Sequence, residues 1–263
     1  MSFFGRTFIF AGVPSEKYNL LISTSDGGDT NVTMGTGVEP ILEKIYKRPV
    51  PYFYGVDQSP TLSFDIEIYS EQPLDADKAE IISSWLFGQM TYKKLIIVQN
   101  DMQSVYFNCF LIDPQKKING NQIVGFTATV LCDAPWGWTN EKTKSYTYTS
   151  DNIATDIILN IQTNNNFYTY PTIIFTMNVL GGFFKIINNS DNGRIFEFTG
   201  LTNSETITVK NDLGIITSST GLVRMTNFNK NLFRFVRGVN NLSISGSISN
   251  LQFKYQLAKK VGG

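Results

Sequence analysis

Alternation at a period of two constrains this chain more than any other feature. In Leu62-Ser63-Phe64-Asp65-Ile66-Glu67-Ile68 every second side chain is apolar, the pattern of a strand with one face in a core and the other in water. The pattern returns at Ile195-Phe196-Glu197-Phe198, at Thr206-Ile207-Thr208-Val209 and at Leu242-Ser243-Ile244-Ser245-Gly246-Ser247-Ile248. Asn, Ser, Thr and Gly separate such runs. Asn119-Gly120 and Asn192-Gly193 read as hairpin turns, because both residues of each pair tolerate a positive φ. The sequence therefore predicts a mainly β protein. Its C-terminal stretch reads as a strand from Asn227 to Val236, a Gly238-Val239-Asn240-Asn241 turn, a strand, a further turn, and a last strand through Leu251-Gln252-Phe253-Lys254-Tyr255.

One hairpin can be checked for consistency. A two-residue turn at Asn119-Gly120 sets Phe107 opposite Cys132, Cys109 opposite Val130 and Leu111 opposite Ala128. All six are apolar or small and share one face, while Tyr106, Asn108, Thr127 and Thr129 share the other, as a correct register requires. Cys109 and Cys132 then lie on a diagonal, which argues against a disulfide and for two small buried residues.

One helix interrupts the strands, near residues 74–87. Pro73-Leu74-Asp75 opens it with Asp75 as N-cap, and Asp77 suits the positive end of its dipole. Ile81, Ile82, Trp85 and Leu86 recur at helical spacing as a core-facing stripe, and Gly88 ends the helix. Two segments stand out as surfaces. Ser23 to Gly37, with Met34 near its end, is a long run of small and polar residues, the kind of loop that is mobile or functional. Lys47-Arg48-Pro49-Val50-Pro51-Tyr52-Phe53-Tyr54-Gly55 reads either as a strand bordered by turns or as a surface that packs on another chain, where aromatics and Arg are favoured. Met34, Arg48, Tyr52, Phe53 and Tyr54 are the candidate interface residues. A domain boundary falls after Cys132-Asp133-Ala134-Pro135-Trp136-Gly137-Trp138, giving domains 1–138 and 139–263.

Composition narrows the chemistry. The 263 residues include no histidine, which removes His-based triads, His metal ligands and His general bases. Two cysteines cannot make a four-thiolate metal site. Lys plus Arg equals Asp plus Glu, 22 against 22, so no basic excess grips phosphates or a charged membrane surface. No apolar run reaches the roughly 18 residues of a membrane span. Met1 to Gly12 is apolar but brief, and it reads as a strand rather than a signal peptide, with synthesis in the cytoplasm. The carboxylate pairs Asp65/Glu67 and Asp75/Asp77 fit a strand's wet face and a helix's first turn better than a glycosidase pair. The sequence predicts no enzyme activity, no metal and no cofactor. Tyr168 and Tyr170 are candidates for stacking on sugars.

Taken in order, the motifs resemble those of bacteriophage distal tail proteins of the siphophage type, the baseplate or tail-tip hub family. The opening strand Phe8-Ile9-Phe10-Ala11-Gly12-Val13-Pro14-Ser15-Glu16-Lys17-Tyr18-Asn19-Leu20 is similar to theirs. So are the aromatic Pro51-Tyr52-Phe53-Tyr54-Gly55, the Trp85-Leu86 pair, Cys132-x-x-Pro135 before the boundary, and Gly238-x-Asn240 with Ser245-Gly246 near the end. The resemblance implies an N-terminal split β-barrel with one helix, related to tail-tube proteins, and a C-terminal galectin-like β-sandwich. It implies a homo-hexameric ring that joins the tail tube to the tail-associated hub protein and offers a platform to receptor-binding proteins. The tape-measure protein and then DNA would pass through the channel without specific binding. Such a protein is a structural part of the virion tail, with no membrane insertion. The alternative is a lectin-like module of a tail tip that recognises host-surface glycans.

Overall fold

A computed structural model describes residues 5–24, 38–58, 61–99 and 104–260. The chain divides into two compact units, Met1–Trp138 with Lys259–Gly263, and Thr139–Ala258.

The first unit contains β1 (Phe8–Phe10), β2 (Val13–Pro14), β3 (Leu20–Thr24), β4 (Val38–Glu43), β5 (Tyr52–Gln58), β6 (Ser63–Leu74), α1 (Ala76–Phe87), β7 (Lys93–Ile97), β8 (Val105–Asn119), β9 (Gln122–Cys132) and β10 (Gly137–Thr139). Its main sheet runs in the order β2-β1-β7-β8-β9-β6-β3. The sheet curls without closing. Its two sides meet where Arg6, just ahead of β1, exchanges backbone hydrogen bonds with Ile22 of β3. This is the split barrel that the resemblance implies. Phe8, Phe10, Ile22, Ile66, Ile68 and Phe107 fill its interior, each worth about 1.5–3 kcal/mol of burial.

Helix α1 lies against that core through Ala79, Ile82 and Leu86. Asp75 caps it, its carboxylate accepting the Lys78 N–H at 2.8 Å. Trp85 stacks parallel to Phe8 and donates its indole N–H to the Phe10 carbonyl. Ile81 departs from the expected stripe. It points outward and is 55% exposed, because the inward face is already taken one residue further along by Ile82.

The β8–β9 hairpin turns one step later than expected. Asn119 pairs with Gln122, so Gly120 and Asn121 form the turn, and only Gly120 takes a positive φ. The sequence reading failed because Gly-Asn, with glycine first, satisfies a mirror-image turn as well as Asn-Gly does. The pairings from Cys109 to Ile112 therefore shift by two, which keeps those side chains on their expected face. Cys109 stands directly opposite Cys132 rather than diagonal to it, and both are free and buried.

The second unit contains β11 (Lys142–Thr147), β12 (Ile153–Ile161), β13 (Thr172–Met177), β14 (Gly182–Asn188), β15 (Arg194–Leu201), β16 (Thr206–Lys210), β17 (Ile215–Ser218), β18 (Gly238–Gly246) and β19 (Ile248–Tyr255); a short β20 (Ala258–Lys259) follows. Two sheets, β11-β19-β13-β16-β17 and β12-β18-β14-β15, make a sandwich. Between them sits a cluster of aromatic rings that includes Phe175, Phe184, Phe196, Phe198, Phe233 and Phe253.

The C-terminal motif takes a different form from the expected strand and turn. Gly238 to Asn241 is not a turn but the start of β18, paired with Ile161 to Ile158 of β12. Asn227 to Val236 is not a strand but an irregular segment, tied by single bridges from Phe228 to Phe198 and from Phe235 to Thr169. Asparagine side chains replace the missing ladder. Asn240 accepts the Val236 N–H and donates to the Val236 carbonyl, while Asn211 accepts the Phe233 N–H at 2.7 Å. Asn229 and Asn231 both donate to the Ile195 carbonyl and so cover the edge of β15. At Gly246 the chain leaves one sheet for the other. Its φ of +133° and the Phe183 carbonyl against it leave no room for a Cβ.

Candidate functional site

Strands β4 and β5 form a two-stranded sheet of their own. Six pairs with one irregular step hold them together, with Pro40 opposite Val56, Leu42 opposite Phe53 and Glu43 opposite Tyr52. The register breaks between Ile41 and Leu42, where Tyr54 is the extra residue. A proline in β4 is tolerated because a two-stranded ribbon has free edges on both sides. None of the described side chains from Glu39 to Asp57 is buried. Phe53 and Tyr54 are 65% and 64% exposed.

Opposed residues of an antiparallel pair share a face, so the two faces of this ribbon can be told apart. One carries the apolar Pro40, Leu42, Phe53 and Val56. The other carries Glu39, Glu43 and Asp57 together with Ile41, Tyr52 and Tyr54. The Tyr52 and Tyr54 rings lie 6.4 Å apart. Glu43 hydrogen-bonds the Tyr54 hydroxyl and raises its pKa. The connecting loop holds Lys44, Lys47 and Arg48, three cations within five residues. The Arg48 guanidinium lies 3.9 Å above the Tyr52 ring.

The structure thus gathers four of the five sequence candidates, Arg48, Tyr52, Phe53 and Tyr54, on one hairpin; Met34 lies outside the described residues. It also separates them. Phe53 belongs to the apolar face, whereas Tyr52, Tyr54 and the stacked Arg48 go with the acidic face. Sequence reading missed Leu42 and Val56, the apolar partners of Phe53. Val38-Glu39-Pro40-Ile41-Leu42-Glu43 lacks clean alternation, and its pairing with the aromatic strand is the only signal that would have recovered it.

Among the described residues no three His, Cys, Asp or Glu side chains converge as metal ligands. Burial pushes the Cys132 thiol up to about 12 and the Cys109 thiol higher still, so neither is a nucleophile at neutral pH. Asp65 accepts from Thr129 and Glu67 pairs with Lys117 at 2.7 Å, on the outer face of the main sheet. Tyr168 and Tyr170 are half exposed, but Arg234, held by two bonds to Asp191, lies 3.6 Å over the Tyr168 ring and occupies one of its faces. Among the described residues no helix is long and apolar enough to cross a membrane.

A split barrel with a free-standing hairpin, joined to a β-sandwich, defines a class of two-domain β protein. Residues 4–134 match the family model of a phage tail protein N-terminal domain, and residues 136–255 match that of a phage tail C-terminal domain. The chain belongs to this family of bacteriophage tail proteins. Solved structures agree in fold. The SPP1 Dit protein, described as a paradigm of the hub adsorption apparatus in phages infecting Gram-positive bacteria, is 13% identical with a TM-score of 0.69, over 95% of this chain and 98% of that one. A chain of the phage P2 baseplate, in its activated conformation with Ca, is 10% identical with a TM-score of 0.53, over 97% and 98%. The same baseplate with Sr gives 0.51 at 10% identity, over 95% and 97%. At such identities the likeness is one of fold. No curated protein sequence matches the chain.

Proposed function

We propose that this tail protein is a distal tail hub. In this reading six copies close into a ring at the end of the tail tube, with the tail-associated hub protein below and receptor-binding proteins on the outer sandwiches. The channel passes the tape-measure protein and DNA, and the protein has no catalytic role. The observation that carries the reading is the β4–β5 hairpin. An isolated two-stranded hairpin is marginal in water, and this one leaves Leu42, Phe53 and Val56 more than half exposed. A cyclic ring joins two different patches of each subunit, and an apolar arm supplies one of them. Equal numbers of acidic and basic residues suit a conduit in which DNA slides rather than sticks.

The experiment is native mass measurement of the purified protein with negative-stain imaging of the same sample. The expected result is a species near six times 29.6 kDa with a central hole. A chain that stays monomeric, and that labelling finds away from the tail tip in intact virions, would overturn the reading.

A further inference from the structure

Among the described residues, the first unit exposes five large apolar side chains outside the hairpin: Ile81, Met90, Tyr92, Val98 and Ile118. Their surroundings differ in charge. Tyr92 adjoins Lys93, and Ile118 adjoins Lys116 and Lys117. Met90 stands between Gln89 and Thr91, and Val98 between Ile97 and Gln99. Ile81 sits among carboxylates. On α1, Asp77, Glu80, Ile81 and Ser84 fall at spacings of three, four and seven, so they share one outward face. All four are exposed. Asp75 is occupied by Lys78, but among the described residues neither Asp77 nor Glu80 forms an ion pair. Lys116 borders the groove beside Glu80 without pairing with it.

This face is the complement of the hairpin. It is acidic with an apolar centre, and the hairpin is an apolar face ending in three cations. Their lengths are of the same order. The seven residues of β5 extend about 23 Å, and the twelve of α1 about 18 Å. A basic tip would be repelled by Lys93 beside Tyr92, and the hairpin's own acidic face would be repelled by α1. Both constraints turn the apolar face toward Ile81.

We infer that the hairpin of one copy seats on the outer face of α1 of a neighbouring copy, with Lys44 and Lys47 against Asp77 and Glu80, and Leu42 and Phe53 against Ile81. The inference rests on the ring reading and adds to it which two patches meet. It assigns α1 a role in assembly that its capping and core packing do not require.

The test is a charge swap, read as the native mass of the full chain. Four proteins are compared: the unaltered chain, K44E/K47E, D77K/E80K, and all four substitutions together. Arg48 is kept because it braces Tyr52. Thermal melts confirm that each remains folded. Each double variant is expected to weaken ring association by at least about tenfold, and the quadruple variant to recover it. If the unaltered chain forms a ring and D77K/E80K forms it equally well, the pairing is wrong while the ring stands. If both doubles dissociate and the quadruple does not recover, both patches lie at contacts but do not face each other, and the inference again fails. A monomeric unaltered chain removes the ring reading, and this inference with it.

Discussion

The C-terminal sandwich and the β4–β5 hairpin are rich in the same kinds of side chain and dispose of them in opposite ways. In the sandwich, Phe175, Phe184, Phe196, Phe198 and Phe233 are wholly buried and touch one another ring to ring. In the hairpin, Tyr52, Phe53 and Tyr54 meet mainly water. The polar groups differ in the same sense. Glu205 is buried, and it accepts from Arg224 through both oxygens at 2.7 and 2.6 Å and from Thr202 and Ser218. Glu43 and its neighbours on the hairpin are exposed. The sandwich buries its phenylalanine cluster within one chain, whereas the hairpin leaves its apolar surface exposed. Stability should therefore respond to changes in the first region, and association to changes in the second.

The largest expected effect is at the buried ion pair. Glu205→Ala leaves Arg224 buried without its partner and should cost about 3–5 kcal/mol, measured by denaturant unfolding. A loss under about 1 kcal/mol would mean that the pair contributes no more than a surface bridge. The same carboxylate gives a pH signature. Burial alone would raise its pKa, but bonds from Arg224, Ser218 and Thr202 outweigh burial and hold it at about 2, below the ordinary 4.5. A depressed carboxylate contributes fully above its unfolded pKa and loses that contribution as pH falls toward the folded one. Stability should thus decline between pH 4.5 and about 2, and the Glu205→Gln variant should decline less over that window.

Next in size is Asn240→Ala. It deprives the Val236 N–H and carbonyl of their partner and should cost about 1–3 kcal/mol in the same measurement, with Asn240→Asp recovering part of it. Asp75→Ala removes the cap of α1 and should cost about 0.5–2 kcal/mol. The smallest effect on stability belongs to the hairpin. Tyr52→Ala, on the acidic face, should move the unfolding free energy by no more than about 0.5 kcal/mol, and it should leave association less affected than Phe53→Ala does. Equal effects of the two on association would contradict the division of the hairpin into an apolar packing face and an acidic outer one.

Much of the fold was legible because alternation is a local signal. The strands around Leu62, Ile195, Thr206 and Leu242, the Asp75 cap and the mainly β architecture all follow from neighbours in sequence. The misreadings have long-range causes. Ile81 obeys the helical spacing, but only the packed core decides which side of a wide stripe faces in. The β8–β9 turn offered two chemically acceptable registers one residue apart. Asn227 to Val236 looks like a strand because it is rich in aromatics, yet its backbone is satisfied by asparagine side chains distant in sequence, including Asn211. The asparagines read as turn formers are in part brackets for that segment. The hairpin was half legible. Its aromatic strand announced itself through Arg48, Tyr52, Phe53 and Tyr54, while Leu42 and Val56 could be placed beside Phe53 only once the pairing was known.

The most direct test of the account measures one variant twice. Leu42→Ser with Phe53→Ser removes the centre of the hairpin's apolar face and touches nothing in either core. The account predicts a melting temperature indistinguishable from that of the unaltered chain and a native mass that falls from the ring to a single subunit. A ring of undiminished mass would contradict it, because the hairpin would then have no part in holding the copies together.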